Sequence, residues 1–442
     1  MTHVVTYDDA LRDLESRVPS RMVPDLRRIT ALADLLGNPQ RGYPSIHITG
    51  TNGKTSVARM VTALLGALRI RAGTYTSPHL QSVRERIRVA GQPISQEDFA
   101  QVHAGLAPLA AIVDGSQEAH SERVTYFEVL TAMAYWWFAD HPVDVGVFEV
   151  GMGGTWDATN LVRGEVAVVT PVAVDHPELG ATPAEVAVEK AGIIKSEATV
   201  VLAEQSPDVL AVIEARAARE HARVVRAGAE VALEERHLAV GGQVLTLRAG
   251  TRTYTDVFVP LHGAHQADNA VLALGALSAF LGGLEAVDDQ VVREGFAAIE
   301  VPGRLEVVHR DPTVLLDGAH NPAGAVRTAE AIEEAFDFRD LIMVVGCLAD
   351  KDVAGILRAF RALPSHVVVT RPPSPRAAAL DRLESTARQV WSGTGVAVER
   401  AGAVEEALDK AIGVAGRLDA VVVTGSLYLV GAARQCYLPV DP

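Results

Sequence analysis

Residues 45–55 read Ser-Ile-His-Ile-Thr-Gly-Thr-Asn-Gly-Lys-Thr, a β-branched run that passes directly into a glycine-containing loop and a lysine. Beyond it, Val57, Val61, Leu64, Leu65 and Leu68 recur at three- and four-residue spacing, which predicts an amphipathic helix over 55–68. Strand, tight loop and helix in that order make an anion cradle, because loop N–H groups and the helix N-terminus point at one spot. Lys54 can reach the β- and γ-phosphates of a nucleotide, and the Thr55 hydroxyl stands near Mg2+ or phosphate. A full Walker loop has glycine six residues before the lysine. Position 48 is Ile, and Gly50 lies only four before Lys54, so this is a shorter variant. The alternative, a strand–helix turn with an exposed lysine, is the weaker reading in this context.

The rest of the chain repeats the alternation of short apolar runs with helical stretches, the pattern of an α/β protein with a mostly parallel sheet. Val143–Val150, Glu165–Thr170 and Thr199–Ala203 read as strands, and 166–170 is apolar nearly throughout, as a strand covered on both faces requires. Arg252–Pro260 alternates like one arm of an antiparallel pair, and Asn269–Leu281 reads as a helix. A second, smaller doubly wound unit begins near Pro302-Gly303-Arg304, with strands expected at Val314–Leu316, Leu341–Val345, Val367–Thr370 and Ala420–Thr424. The expected division is a phosphate-loop domain over 1–299 and a C-terminal α/β domain over 300–442.

Composition narrows the function. Among 442 residues, 40 Lys+Arg stand against 55 Asp+Glu, a formal charge of −15. Such a chain repels a phosphate backbone at long range, which argues against nucleic-acid partners while leaving room for local basic pockets. No window holds about 18 uninterrupted apolar residues, and the N-terminus lacks a signal-peptide pattern, so no membrane contact and a cytoplasmic location are expected. Cys347 and Cys436 allow at most one bridge, which suits a reducing compartment. They offer no zinc spacing, and neither a G-x-S-x-G elbow nor a G-x-G-x-x-G fingerprint occurs.

Polar clusters recur where strands end. Glu149 closes one strand ahead of Gly151-Met152-Gly153-Gly154, at the edge where open α/β sheets bind ligands, and a carboxylate there suits a hard cation. Asp175-His176 follows the next strand, and His176 alone would read as a loop histidine. Thr76-Ser77-Pro78-His79-Leu80 and Glu85-Arg86 offer a hydroxyl and a guanidinium that can pair with a carboxylate, although Ser-Pro by itself is commonly a turn. Lys190 falls in the last turn of a helix, where complementing the helix dipole is sufficient explanation. Asp317-Gly318-Ala319-His320-Asn321-Pro322, Asp350-Lys351-Asp352 and Thr424-Gly425-Ser426 would form a second rim, each singly being explicable as a helix cap. The residues thus support ATP-dependent chemistry between two α/β domains, with the substrate open.

These stretches, taken in order, resemble one family. GTNGKT at 50–55, TSPHL at 76–80, Glu85-Arg86-Ile87 and Glu149-Val150-Gly151 match the folylpolyglutamate synthase/dihydrofolate synthase family of the Mur-ligase superfamily. So do Asp157-Ala158-Thr159-Asn160, EKAGIIK at 189–195, His265-Gln266 with Asn269-Ala270, Gly303-Arg304, DGAHNP at 317–322 and TGSLYLVG at 424–431. The resemblance implies an ATP-dependent ligase that joins L-glutamate to dihydropteroate or to a reduced folate through an acyl phosphate. It places Gly50, Thr51, Asn52, Gly53, Lys54, Thr55, Asn269, Arg304 and Asp317 at ATP, with Arg304 on phosphate and Asp317 near the ribose. It gives Mg2+ to Ser77, Glu149 and His176, and a second Mg2+ to a carbamylated Lys190. The incoming glutamate falls to Arg86, His320 and Ser426, and Lys54, Lys190 and His320 are the expected catalytic groups. It also admits a monovalent cation and implies a monomer that closes over its substrates.

This sequence departs from the family pattern in Thr55-Ser56 after the lysine, in Thr155-Trp156 where Arg is common, and in a 175–190 segment one residue short. The rival within the superfamily is a ligase that adds amino acids to a UDP-sugar. TSPHL, DATN and DGAHNP favour folate, as does the lack of a separate UDP-binding unit before residue 45. A non-catalytic ATP-binding regulator is the rival from another class, and Glu149, His320 and Ser426 speak against it.

Overall fold

The computed structural model describes residues 5–19, 23–116, 122–174 and 177–440. Its first sheet contains β1 (Ser45–Thr49), β2 (Ala72–Tyr75), β3 (Ile87–Val89), β4 (Gln92–Pro93), β5 (Val145–Glu149), β6 (Val166–Val169), β7 (Thr199–Leu202) and β8 (Arg223–Arg226). The spatial order is β4-β3-β2-β5-β1-β6-β7-β8, parallel from β2 to β8, with β3 and β4 as an antiparallel edge. Every residue of β1 and β5 is buried, because helices cover both faces. Ile48 lies beside Glu149 on one side and beside Val168 on the other, so the loops after β1, β5 and β6 leave the same edge. Tyr75 of β2 pairs with Phe148 and delivers the Thr76–Leu80 loop there as well.

The helix Lys54–Ala67 buries Val57, Val61, Leu64 and Leu65 against the helices Ala264–Phe280 and Asp289–Ala297. The same core takes in an antiparallel meander, β9 (Val231–Ala239), β10 (Gly242–Ala249) and β11 (Arg252–Val259). The alternating run at 252–259 is therefore one arm of an antiparallel pair, as its pattern requires. The helix expected at 269 starts at Ala264 instead. Gly263, with φ +94°, turns the chain into it, and buried Gln266 is stabilised inside by the Asn269 amide at 3.0 Å. A polar first turn had hidden that start.

The second sheet runs β12 (Glu306–His309), β13 (Thr313–Leu316), β17 (Ala420–Thr424), β14 (Leu341–Val345), β15 (Pro364–Val369) and β16 (Ala397–Arg400), all parallel except β12. The four central strands match the sequence reading closely. The edges β12 and β16 are four residues each, with Val307 and Val308 half-buried in one and Val398 alone buried in the other, too short an apolar run to read as a strand. Several contacts tie this unit to the first, two of them beside the phosphate loop and the Thr76–Leu80 loop. Asn321 donates to the Asn52 side-chain oxygen at 3.0 Å, and the Leu80 carbonyl rests on Gly431, where a Cβ would come within 2.0 Å of it. Cys347 is buried, Cys436 is exposed, and both are free thiols. Among the described residues no helix is long and apolar enough to cross a membrane.

Candidate active site

The loop 50–55 turns on Gly50, whose φ of +138° excludes side chains and whose Cβ, if present, would lie 1.8 Å from the Thr170 hydroxyl oxygen. That hydroxyl donates to the Asn52 carbonyl at 2.7 Å, and Thr51 bonds through its own hydroxyl to the Ala173 carbonyl at 2.8 Å. The loop is thus anchored on the turn after β6 before any ligand arrives. Gly50→Ala is expected to cost about 2–5 kcal/mol from strain and overpacking together, and to remove nucleotide binding. Thermal melting and calorimetric titration with a non-hydrolysable ATP analogue check this.

Lys54 donates to the Gly50 carbonyl at 3.0 Å and to the Thr51 carbonyl at 3.1 Å. Lys190, buried at the end of the helix Pro183–Lys190, donates to the same Gly50 oxygen at 2.8 Å. Two lysine side chains therefore converge on one carbonyl, in a cleft of about 300 Å³ also lined by Gly151, Met152 and Gly153. Surface complementation of a helix dipole does not describe this buried lysine. Its helix end is held by Thr155, whose amide donates to the Glu189 carbonyl at 3.0 Å.

Glu149 is 2% exposed, and its carboxylate accepts from the Thr55 hydroxyl at 2.9 and 3.0 Å and from the Ser77 amide at 3.2 Å. Loss of hydration pushes its carboxyl above the usual range, although Lys54, Thr55, Ser77 and Arg304 all pull the other way. No cation stands within ion-pair distance of it among the described residues. A buried, unpaired carboxylate beside two hydroxyl-bearing residues is a donor set that fits a hard divalent cation. His176 lies outside the described residues, and among those described no cluster of three His, Cys, Asp or Glu forms a ready-made metal site.

Asn269 stands beside Gly53, its side-chain oxygen filling the space a Cβ there would need. Arg304 packs over Gly318. Asp317 accepts from the amides of Leu305 and Ala319, each at 2.9 Å, and from the Thr328 hydroxyl at 2.7 Å, so its first task is to shape the loop that carries His320. The three C-terminal clusters are all helix caps: Asn321, Asp352 and Ser426 accept from Gly324, Gly355 and Tyr428. Asp350 pairs with exposed Arg376, which leaves it at the surface. Arg86 donates through Nε to His79 Nδ1 at 3.0 Å and lies 5.4 Å from the Tyr126 ring centroid. Burial, then Arg86, pulls His79 down to about 4, which keeps its ring neutral and able to accept.

Two contributors escape the sequence reading as individual site residues. Asp157 takes the Met152 amide at 2.9 Å and the Thr159 amide at 3.0 Å, bracing the glycine loop after β5. Arg59 lies one helical turn beyond Thr55, a four-residue spacing that puts both on one helix face.

Two family descriptions match the chain: Mur ligase middle domain over residues 48–277, and Mur ligase, glutamate ligase domain over 303–427. The dihydrofolate synthase/folylpolyglutamate synthase of Mycobacterium tuberculosis is 46% identical over 451 aligned positions, covering 96% of this chain and 92% of that protein. The folylpolyglutamate synthase of Lacticaseibacillus casei is 36% identical, covering 94% of each. Among solved structures, the M. tuberculosis folylpolyglutamate synthase complexed with ADP and AMPPCP superposes with a TM-score of 0.92 at 46% identity, covering 99% of this chain and all of that one. Escherichia coli FolC in complex with DHPP and ADP gives 0.85 at 30% identity, covering 98% and 97%. The chain therefore belongs to the folylpolyglutamate synthase/dihydrofolate synthase family of the Mur ligases, ATP-dependent enzymes that form amide bonds.

Proposed function

We propose that this protein joins L-glutamate both to dihydropteroate and to reduced folates, at the expense of ATP. The observation that carries the reading is the buried Glu149 carboxylate, held by Thr55 and Ser77 beside the phosphate loop, in a chain so similar to bifunctional synthases. The nucleotide falls to residues 1–299 together with Arg304 and Asp317, and the glutamate-binding rim to 300–442 together with Arg86.

A carboxylate is a poor electrophile, so it is first phosphorylated. Its oxygen takes the γ-phosphoryl group, the bond to the β-phosphate bridging oxygen breaks, and ADP leaves. The amine of L-glutamate then attacks the acyl carbon, the carbon–oxygen bond to phosphate breaks, and the nitrogen loses a proton. Lys54, Arg304 and the loop amides hold the phosphates in line. Glu149, Ser77 and, on the family resemblance, His176 would hold Mg2+, which would supply charge neutralisation on the transferring group. Lys190 as a carbamate adds a second anionic ligand at the same edge. Arg86, His320 and Ser426 orient the incoming glutamate.

Phosphate release from ATP and Mg2+ with L-glutamate, compared between dihydropteroate and a reduced folate, tests the reading. Release with both acceptors is expected. Release with the folate alone reduces the reading to polyglutamylation, and release with neither overturns it in favour of a UDP-sugar acceptor.

A further inference from the structure

The second cleft lies between the two domains and holds a charge that the reaction scheme above leaves unused. It has a volume of about 450 Å³, and Thr55, Thr76 and Pro78 line it from one domain and Pro302, Arg304 and Leu427 from the other. Arg59 also lines it, and this guanidinium makes no hydrogen bond or ion pair with any described residue. Its Nε is buried without a partner. Burial pulls the group below its usual basicity, against the opposing pull of Glu85, Glu149 and Glu300.

The nearby carboxylates are committed elsewhere. Glu85 takes the amides of Leu80, Gln81 and Ser82, each at 2.9 Å. Glu149 is held by Thr55 and Ser77, and Glu300 is exposed. The neighbouring Arg88 is spent on the backbone carbonyls of Glu85 and Gly91. Arg59 is thus the cation on this wall with nothing to bind, and a planar guanidinium fork matches a carboxylate. One helical turn, about 6 Å, separates it from Thr55 at the metal edge. The two carboxylate carbons of an extended glutamyl group lie about 5 Å apart, four carbon–carbon bonds.

We propose that Arg59 is a substrate-binding residue that seats the non-reacting carboxylate of a glutamyl group, on the acceptor's tail or on the incoming glutamate. This rests on the ligase reading above. Arg59→Met is expected to raise the KM for the reduced folate or for L-glutamate by about 10- to 100-fold, the weight of a charge-assisted pair. Whichever KM rises identifies the glutamyl group seated. The KM values for ATP and for dihydropteroate, which lacks a glutamyl group, are expected to stay unchanged.

The ligand-free Arg59→Met protein is expected to melt no lower than the wild type, since methionine removes a partly buried charge that has no partner among the described residues. Stabilisation of the wild type by the reduced folate or by glutamate should shrink in the variant. A lowered melting point with no change in KM makes Arg59 structural and overturns the proposal. So does an increase confined to ATP or to dihydropteroate. A wild-type protein that turns over neither acceptor removes the ligase reading itself, a result distinguishable from failure of this assignment alone.

Discussion

Glu149→Gln is expected to lower Mg2+-dependent phosphate release by about 10³-fold, the scale of removing an electrostatic element from a phosphoryl-transfer site, and at the same time to stabilise the metal-free protein. Both effects come from one feature. The carboxylate is buried with two hydrogen-bonding partners and no ion pair among the described residues, and burial has raised its pKa. The folded state then binds the proton more tightly than the unfolded chain does. This group's contribution to stability therefore falls as pH climbs through the ordinary carboxylate range towards the raised value. An amide of the same shape still meets Thr55 and Ser77 but carries no charge to desolvate. In EDTA at pH 7 the variant should melt about 2–4 °C higher, the shift that roughly 1 kcal/mol produces in a domain of this size. Mg2+ should stabilise the wild type and not the variant. Activity of the wild type should also fall on the acid side, as protonation of Glu149 weakens the cation site. A variant that melts lower in EDTA, or that keeps its Mg2+ response, would show that Glu149 is a structural carboxylate.

The distribution of what the sequence reveals follows the range of the interactions. Strand, loop and helix over 45–67 are legible because the apolar period, Gly50 and Lys54 are all local. Central strands such as β14 and β17 are legible for the same reason, as short apolar runs buried on both faces. Sheet order is not local. Insertion of β5 between β2 and β1 brings Glu149 to Thr55 and Ser77 across 94 and 72 residues of chain, and no spacing announces it. β9 and β10 are hard to read because charged residues, including Glu234, Glu235, Arg236 and Arg248, interrupt their apolar alternation. Arg59 hid in plain view, since one arginine on an amphipathic helix reads as a solvated face until its partners are counted. For Lys190 the local pattern supported only a dipole interaction. The carbamate comes from the family resemblance alone, and the fold adds that this lysine is buried beside the phosphate loop.

Lys190→Ala is expected to reduce phosphate release by about 10²- to 10³-fold, again the scale of one preorganised electrostatic group. Lys54 and Lys190 both donate to the Gly50 carbonyl, so as two ammonium groups they repel each other across one oxygen. Reaction of the Lys190 amine with CO2 forms a nitrogen–carbon bond and releases a proton. It turns that repulsion into attraction, because an anionic carbamate then faces Lys54 and offers oxygen ligands to a hard cation. Lys190→Arg keeps the positive charge but has no amine to carbamylate, so it should fail about as badly as alanine. Protein depleted of CO2 at mildly acidic pH should lose activity and recover it with bicarbonate. The wild type, incubated with 13C-bicarbonate, should give a carbamate resonance that is missing in Lys190→Ala. Full activity in Lys190→Arg, or no labelled signal in active wild type, would leave Lys190 as a cation for phosphate alone. The loop would then hold three positive side chains, Lys54, Lys190 and Arg304, for the nucleotide, and Glu149 would stand as the anionic ligand at that edge among the described residues.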